Sequence, residues 1–314
     1  MTLFAFFIFI VIMFLYVHIQ DQYKKGEDLE VYEMDYASNE HLQSVCAMKQ
    51  PVLFEYPLPE EVAHKYESDD TVDIPLWDIR DYCRNSSSSI DPILLSYKSF
   101  ENLAKSDPKG YYFTRKNEEW LKDVNRIDDI KMLNPGIKPP FSVHSSYELL
   151  MGSAGVHTPL QYHMDDRQFF FVTNGKISVK MTPWRSRKYM TDIVNDYDNY
   201  EFYSRTNPWI KCVEETSKIK WLDFDVVAGY VLYIPPWWWY SIRFSSVDTQ
   251  VIGIHYQTAG NILAHLPDWA RYYFQFHMTK RITTRTLEQS PPTPIDEDAP
   301  QPVETFVEET ATSI

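Results

Sequence analysis

The chain has 314 residues, 44% of them apolar and 16% aromatic, enough to bury a sizeable core. Lys and Arg number 30 against 44 Asp and Glu, a net charge of −14 that excludes a basic nucleic-acid-binding surface as the organising feature. Cys46, Cys83 and Cys212 form no CxxC pair and no zinc-like spacing with His. An odd, sparse set of this kind predicts reduced thiols rather than a disulfide framework or a structural zinc site.

In chain order, residues 1–19 are almost wholly apolar, the length of a short membrane-spanning helix, with Tyr16 and His18 at one interface. A cleaved signal sequence and a buried helix are the competing readings. No Lys or Arg precedes the run, and Gln20-Asp21-Gln22-Tyr23 is no small-x-small cleavage site, so an uncleaved anchor is expected. Lys24-Lys25 follow it, which by the positive-inside tendency puts the body on the cytoplasmic side. The sequon Asn85-Ser86-Ser87 would matter only for a lumenal body.

Residues 20–45 are polar and read as a juxtamembrane linker, leaving 46–282 as the folded domain. Short helices are predicted over Tyr97–Leu103 and Asn117–Val124, separated by the turn signal Ser106-Asp107-Pro108-Lys109-Gly110. Strands are predicted at Tyr147–Met151, Pro159–His163, Phe169–Thr173, Ile177–Met181, Val226–Ile234, Tyr240–Phe244 and Val251–Tyr256. Many short strands separated by turns imply a mostly β sandwich or barrel with flanking helices. Arg185–Asn207 reads as a long insertion, whose Trp184-Arg185-Ser186-Arg187-Lys188 stretch suits a solvated loop, an acidic partner or a lipid headgroup.

Asn261 is placed as a helix cap. Beyond Pro267, Trp269, Tyr272, Tyr273 and Phe276 share a helix face that either covers the barrel or joins two copies of the chain. Residues 283–314, which from Leu287 onward hold five Pro and seven acids against no base, predict a disordered acidic tail.

Two stretches carry a resemblance. Glu148 to His163, ending Thr158-Pro159-Leu160-Gln161-Tyr162-His163, and Gly229 to Tyr240, with Pro235-Pro236-Trp237-Trp238-Trp239-Tyr240, resemble the metal-site strands of cupin-like Jumonji-C proteins. The likeness covers about residues 50–270 and is strong only in these stretches. It implies a double-stranded β-helix and, in intact members, protein hydroxylation with Fe(II) and 2-oxoglutarate. The family's two His and one Asp fall on Gln161, Tyr240 and His163 respectively, so all three ligand positions differ. Thr158 matches a cosubstrate contact. Lys176 and Lys180 flank the position of the lysine that holds the far carboxylate, and His255 lies on a later strand.

Ferrous iron in this class needs two imidazoles and a carboxylate. Gln161 supplies a neutral amide, Tyr240 a phenol ionising only near pH 10 unless perturbed, and His163 alone a good ligand. The resemblance with these substitutions implies a catalytically degenerate domain without a cofactor. Joined to the N-terminal apolar run, the expectation is a membrane-anchored protein that binds or scaffolds protein partners, and its anchored, aromatic-rich character would suit a larger assembly such as a virion. The alternative is an oxygenase with a rearranged site drawing on His157, His163, His255 and Asp165 or Asp166, still using Fe(II) and 2-oxoglutarate. By strand alternation His157, Gln161 and His163 are expected to share a face.

Overall fold

A computed structural model describes residues 2–64, 72–83, 90–197, 200–210 and 216–278. Strands β1 (Tyr32–Asp35) and β2 (Val52–Glu55) precede β3 (Asp73–Asp78), β4 (Ile93–Ser96) and β5 (Tyr112–Thr114). The long β6 (Ser142–Gly152) is followed by β7 (Leu160–Tyr162), β8 (Arg167–Asn174) and β9 (Lys176–Thr182). β10 (Ile193–Asp196), β11 (Glu201–Ser204), β12 (Leu222–Val227), β13 (Tyr230–Ile234), β14 (Trp239–Phe244) and β15 (Gln250–Thr258) complete the described set.

They form a nine-stranded sheet, in the order β1-β2-β13-β8-β15-β6-β5-β3-β4, and a six-stranded sheet, β10-β11-β7-β14-β9-β12. Adjacent residues of a strand face opposite sides, and the core follows that rule. On β8, Phe169 and Phe171 pack with Trp120, Leu121 and Leu42 of the helices outside the large sheet. Their neighbours Phe170 and Val172 meet Val179, Met181, Ile242 and Phe244 of the small sheet in a second cluster. A third cluster, Leu160, Tyr162, Phe202, Trp237 and Trp239, covers the far side of the small sheet. With both faces covered, these strands read as continuous apolar runs rather than alternating ones. Trp238 belongs to the cluster between the sheets while Trp237 and Trp239 face the other way, so the ring triplet fills two layers.

The predicted helices and strands are present with shifted ends, such as Tyr97–Ser106 for the first helix. Other expectations need correction. The run Val226–Ile234 is two strands, because Gly229 takes φ +92 and turns the chain between β12 and β13. Residues 20–45 are not a bare linker: β1 pairs with β2, and Asn39–Cys46 is a helix. Ser38 caps that helix, and its Leu42 and Cys46 are fully buried. The stretch 185–207 contributes β10 and β11 to the small sheet. Thr258, not Asn261, caps the helix Ala259–Ala264, accepting from the Asn261 N–H. The sequon, Cys212 and residues 283–314 lie outside the described residues.

The N-terminal helix Thr2–Gln22 contains a 20-residue candidate span, Leu3–Gln22, whose most apolar 18 residues have mean hydropathy 2.4 and are not buried against the protein. At 1.5 Å per residue it matches the roughly 30 Å hydrocarbon core of a bilayer. Its last turn is tied to the body. The Gln22 carbonyl accepts from Trp237 Nε1 at 3.4 Å, Gln22 Oε1 accepts from Asn261 Nδ2 at 3.2 Å, and the Tyr23 hydroxyl donates to the Ala264 carbonyl at 2.5 Å.

Candidate functional site

At one end of the space between the sheets lies a cavity of about 320 Å³. The large sheet contributes Glu148 from β6, Gln168 from β8 and His255 from β15. The small sheet contributes Gln161 from β7, Tyr240 from β14 and Glu201 from β11. Register explains the meeting. Tyr240 stands directly opposite Gln161, and His255 opposite Gln168. Trp269 and Tyr200 also line the cavity, their rings stacked with centroids 4.8 Å apart.

Two polar networks occupy the walls. In the first, His255 Nε2 lies 3.0 Å from Glu148 Oε1, and its Nδ1 lies 3.4 Å from Asp165 Oδ2. Burial alone would lower the imidazole pKa, but hydrogen bonds to Asp165 and Glu148, with their charges, raise it to about 9. Burial would likewise raise Asp165, yet the His255 contact outweighs it and brings the carboxyl to about 2. Glu148 is held low against burial by the same imidazole and by the Lys116 N–H. The group is a charged carboxylate–imidazolium–carboxylate triad. Gly253 makes room for it, since a Cβ there would approach Glu148 Cγ to 2.7 Å and Oε1 to 2.8 Å.

In the second network, Arg115 and Glu201, both buried, pair at 2.9 Å, and Lys116 joins Glu201 at 3.0 Å. Arg115 also donates to the Tyr82 hydroxyl at 2.6 Å and to Gln161 Oε1. Because the Gln161 oxygen is engaged there, its amide nitrogen donates to the Tyr240 oxygen at 3.0 Å. Gln168 lies within 2.9 Å of the same oxygen. The Gln168 amide nitrogen is the donor in that contact, and its buried carbonyl oxygen has no hydrogen-bond partner among the described residues. Burial raises Tyr240 well above the ordinary phenol range, followed by the charge of Glu148. The phenol is therefore neutral at physiological pH.

Gln161, His163 and Tyr240 do converge on one cavity, and His255 lines it with them. His163 sits with its ring centroid 6.3 Å from that of Tyr240 and its Nε2 3.0 Å from the Ile234 carbonyl, to which it donates. Burial depresses this imidazole to about 4, so it is neutral.

Thr158 and Lys176 are placed elsewhere. Thr158 is fully buried and accepts from the Ile242 N–H at 3.0 Å, a link between loop and strand. Lys176 pairs with Asp225 at 2.9 Å, both side chains half-exposed, and Lys180 pairs with Asp223 at 3.1 Å. His157 does not share the cavity face. It pairs in a β-bridge with Arg243, and its ring contacts Asn207 and the Thr158 carbonyl. Asp166 is drawn away too, by Lys49 at 3.3 Å and Arg167 at 3.0 Å.

These residues do not fit ferrous iron. The Gln161 oxygen is committed to Arg115, the Tyr240 phenol is protonated, and His163 uses Nε2 on a carbonyl. Among the described residues no group of three His, Cys, Asp or Glu is arranged to hold a metal ion. Arg115, Glu201 and Gln168 escaped the sequence reading, because each lies outside the two resembling stretches or bears no motif. Compared with known proteins, the chain matches no protein-family model and no curated protein.

Proposed function

We propose that this is a membrane-anchored binding protein on a double-stranded β-helix frame, related to the cupin-like Jumonji-C proteins, whose iron positions now serve as structural hydrogen-bonding groups. The observation that carries the reading is the Arg115–Gln161–Tyr240–Gln168 chain, which engages two of the three ligand positions with each other. A metal would have to break buried hydrogen bonds and ionise a buried phenol to bind there. The two facing sheets and the convergence of Gln161, His163 and Tyr240 in one cavity support the frame. The ties from Gln22 and Tyr23 to the body favour an anchor that stays attached.

The remaining cavity, walled by Tyr200, Phe202 and Trp269 beside the charged triad, suits a small side-chain-sized group of a protein partner. The test uses the detergent-solubilised full chain, titrated anaerobically with Fe(II) and assayed for conversion of 2-oxoglutarate to succinate. No stoichiometric iron and no succinate is the expected result, and one iron per chain with turnover overturns the reading. Changing Gln161→His, His163→Asp and Tyr240→His together should create iron binding in a folded chain. Failure of that variant to bind iron while remaining folded counts against the family assignment.

A further inference from the structure

The basic stretch Trp184 to Lys188 has no part in the cavity. It forms a 3-10 turn, Trp184–Tyr189, pinned by the Ser186 hydroxyl 2.6 Å from the Thr182 hydroxyl and by the Trp184 ring lying edge-on to Trp237 at 5.1 Å. Trp237 in turn donates to the Gln22 carbonyl at the root of the N-terminal helix. The turn is therefore held beside the point where that helix meets the body.

Arg185, Arg187 and Lys188 are exposed on this turn, and Lys24 is exposed on the helix side. Lys25 joins them, its Nζ 4.3 Å from the Trp184 ring centroid and 4.7 Å from that of Trp237. The Arg187 guanidinium lies 5.2 Å from the same Trp184 ring, so two cations share one indole. Burial and then the Arg187 charge lower the Lys25 pKa, with Glu27 opposing. In a chain of net charge −14, none of these five cations forms a salt bridge among the described residues.

We propose that Lys24, Lys25, Arg185, Arg187 and Lys188 form a docking surface for the anionic phospholipid headgroups of the bilayer that the N-terminal helix enters. Continuity with the helix selects the occupant. Lys25 lies three residues past Gln22, the end of the helix, and so at most about 10 Å of chain from it, on the order of the screening length of a charged surface. Leu263 and Leu266, exposed beside the Ala264 and His265 contacts of Tyr23, add an apolar margin at the same level. Tryptophan beside cations is a pairing suited to the headgroup region. The inference rests on the helix entering a membrane and is independent of the cavity chemistry.

The test places the full chain in nanodiscs of phosphatidylcholine, with or without phosphatidylserine, and follows backbone hydrogen exchange. Phosphatidylserine should slow exchange at residues 23–25 and 184–189 by about fivefold or more. High salt should reverse the effect, and the Arg185→Glu, Arg187→Glu, Lys188→Glu variant should lose it while exchange in β6 and β15 stays unchanged. A milder Lys24→Gln, Arg187→Gln variant should lose part of it, which keeps the test open if the triple reversal misfolds. Equal exchange in both discs overturns the proposal, as does failure of the chain to enter discs. Protection that appears only when an acidic peptide is added to neutral discs also overturns it, in favour of a protein partner. The iron and 2-oxoglutarate assays read the cavity separately.

Discussion

At the scale of single residues, the two cavity imidazoles sit on opposite sides of neutrality. His255, raised from 6.5 to about 9, binds its proton more tightly when folded. Its contribution is fully present below about pH 6.5 and is lost as pH rises through 9. His163, lowered from 6.5 to about 4, is buried neutral, so it destabilises the fold as pH falls from about 6.5 towards 4. Asp165, lowered from 3.8 to about 2, contributes stability present above about pH 4 and lost as pH falls through 2. The melting temperature should therefore peak near pH 6.5. His255→Gln should flatten the alkaline limb, and His163→Gln the limb between pH 6.5 and 4. A wild-type and His255→Gln pair with the same slope from pH 7 to 9 would falsify the charged triad. Tyr240→Phe should cost about 1–3 kcal/mol in chemical denaturation, because the Gln161 and Gln168 amides would lose a buried partner.

At the scale of elements, the inserted β10–β11 hairpin and the helix Leu266–Met278 together close the cavity, through Tyr200, Glu201 and Trp269. Of the aromatic stripe of that helix, Trp269 and Tyr272 lie against Tyr200, whereas Tyr273 is exposed, as is Phe274, and the Phe276 side chain lies outside the described residues. Trp269→Ala should lower stability by the ring-pair contribution, about 0.5–1.5 kcal/mol, in addition to the lost buried area. Phe274→Ala should stay within about 0.5 kcal/mol of the parent. Equal unfolding midpoints for the two variants would mean that this helix is not seated as described. The strands were legible because β-branched and aromatic runs bounded by turns have few other uses. The role of 185–207 was not: its polar composition reads as loop, and only pairing of β11 with β7 makes it a wall of the site.

For the whole molecule, the N-terminal helix predicts that the full chain stays with membranes through high-salt and alkaline washes and is released by detergent. Release by salt alone would reduce the helix to a peripheral contact. The sequence by itself determined the apolar span, the β-rich body, the odd number of thiols and the presence of Gln161, His163 and Tyr240 in apolar and aromatic strands, since each is a matter of local composition or residue identity. It did not determine what those residues do. That Arg115 holds Gln161, that Gln168 closes on Tyr240, and that Glu148 and Asp165 charge His255 depend on strands distant in sequence being brought into register. Lys176 and His157 show the converse: a resemblance suggested the first and strand alternation the second for the site, and the structure places both elsewhere. Hydrogen bonding and charge act over a few ångströms in space, so only the tertiary structure decided which polar groups meet and which face solvent.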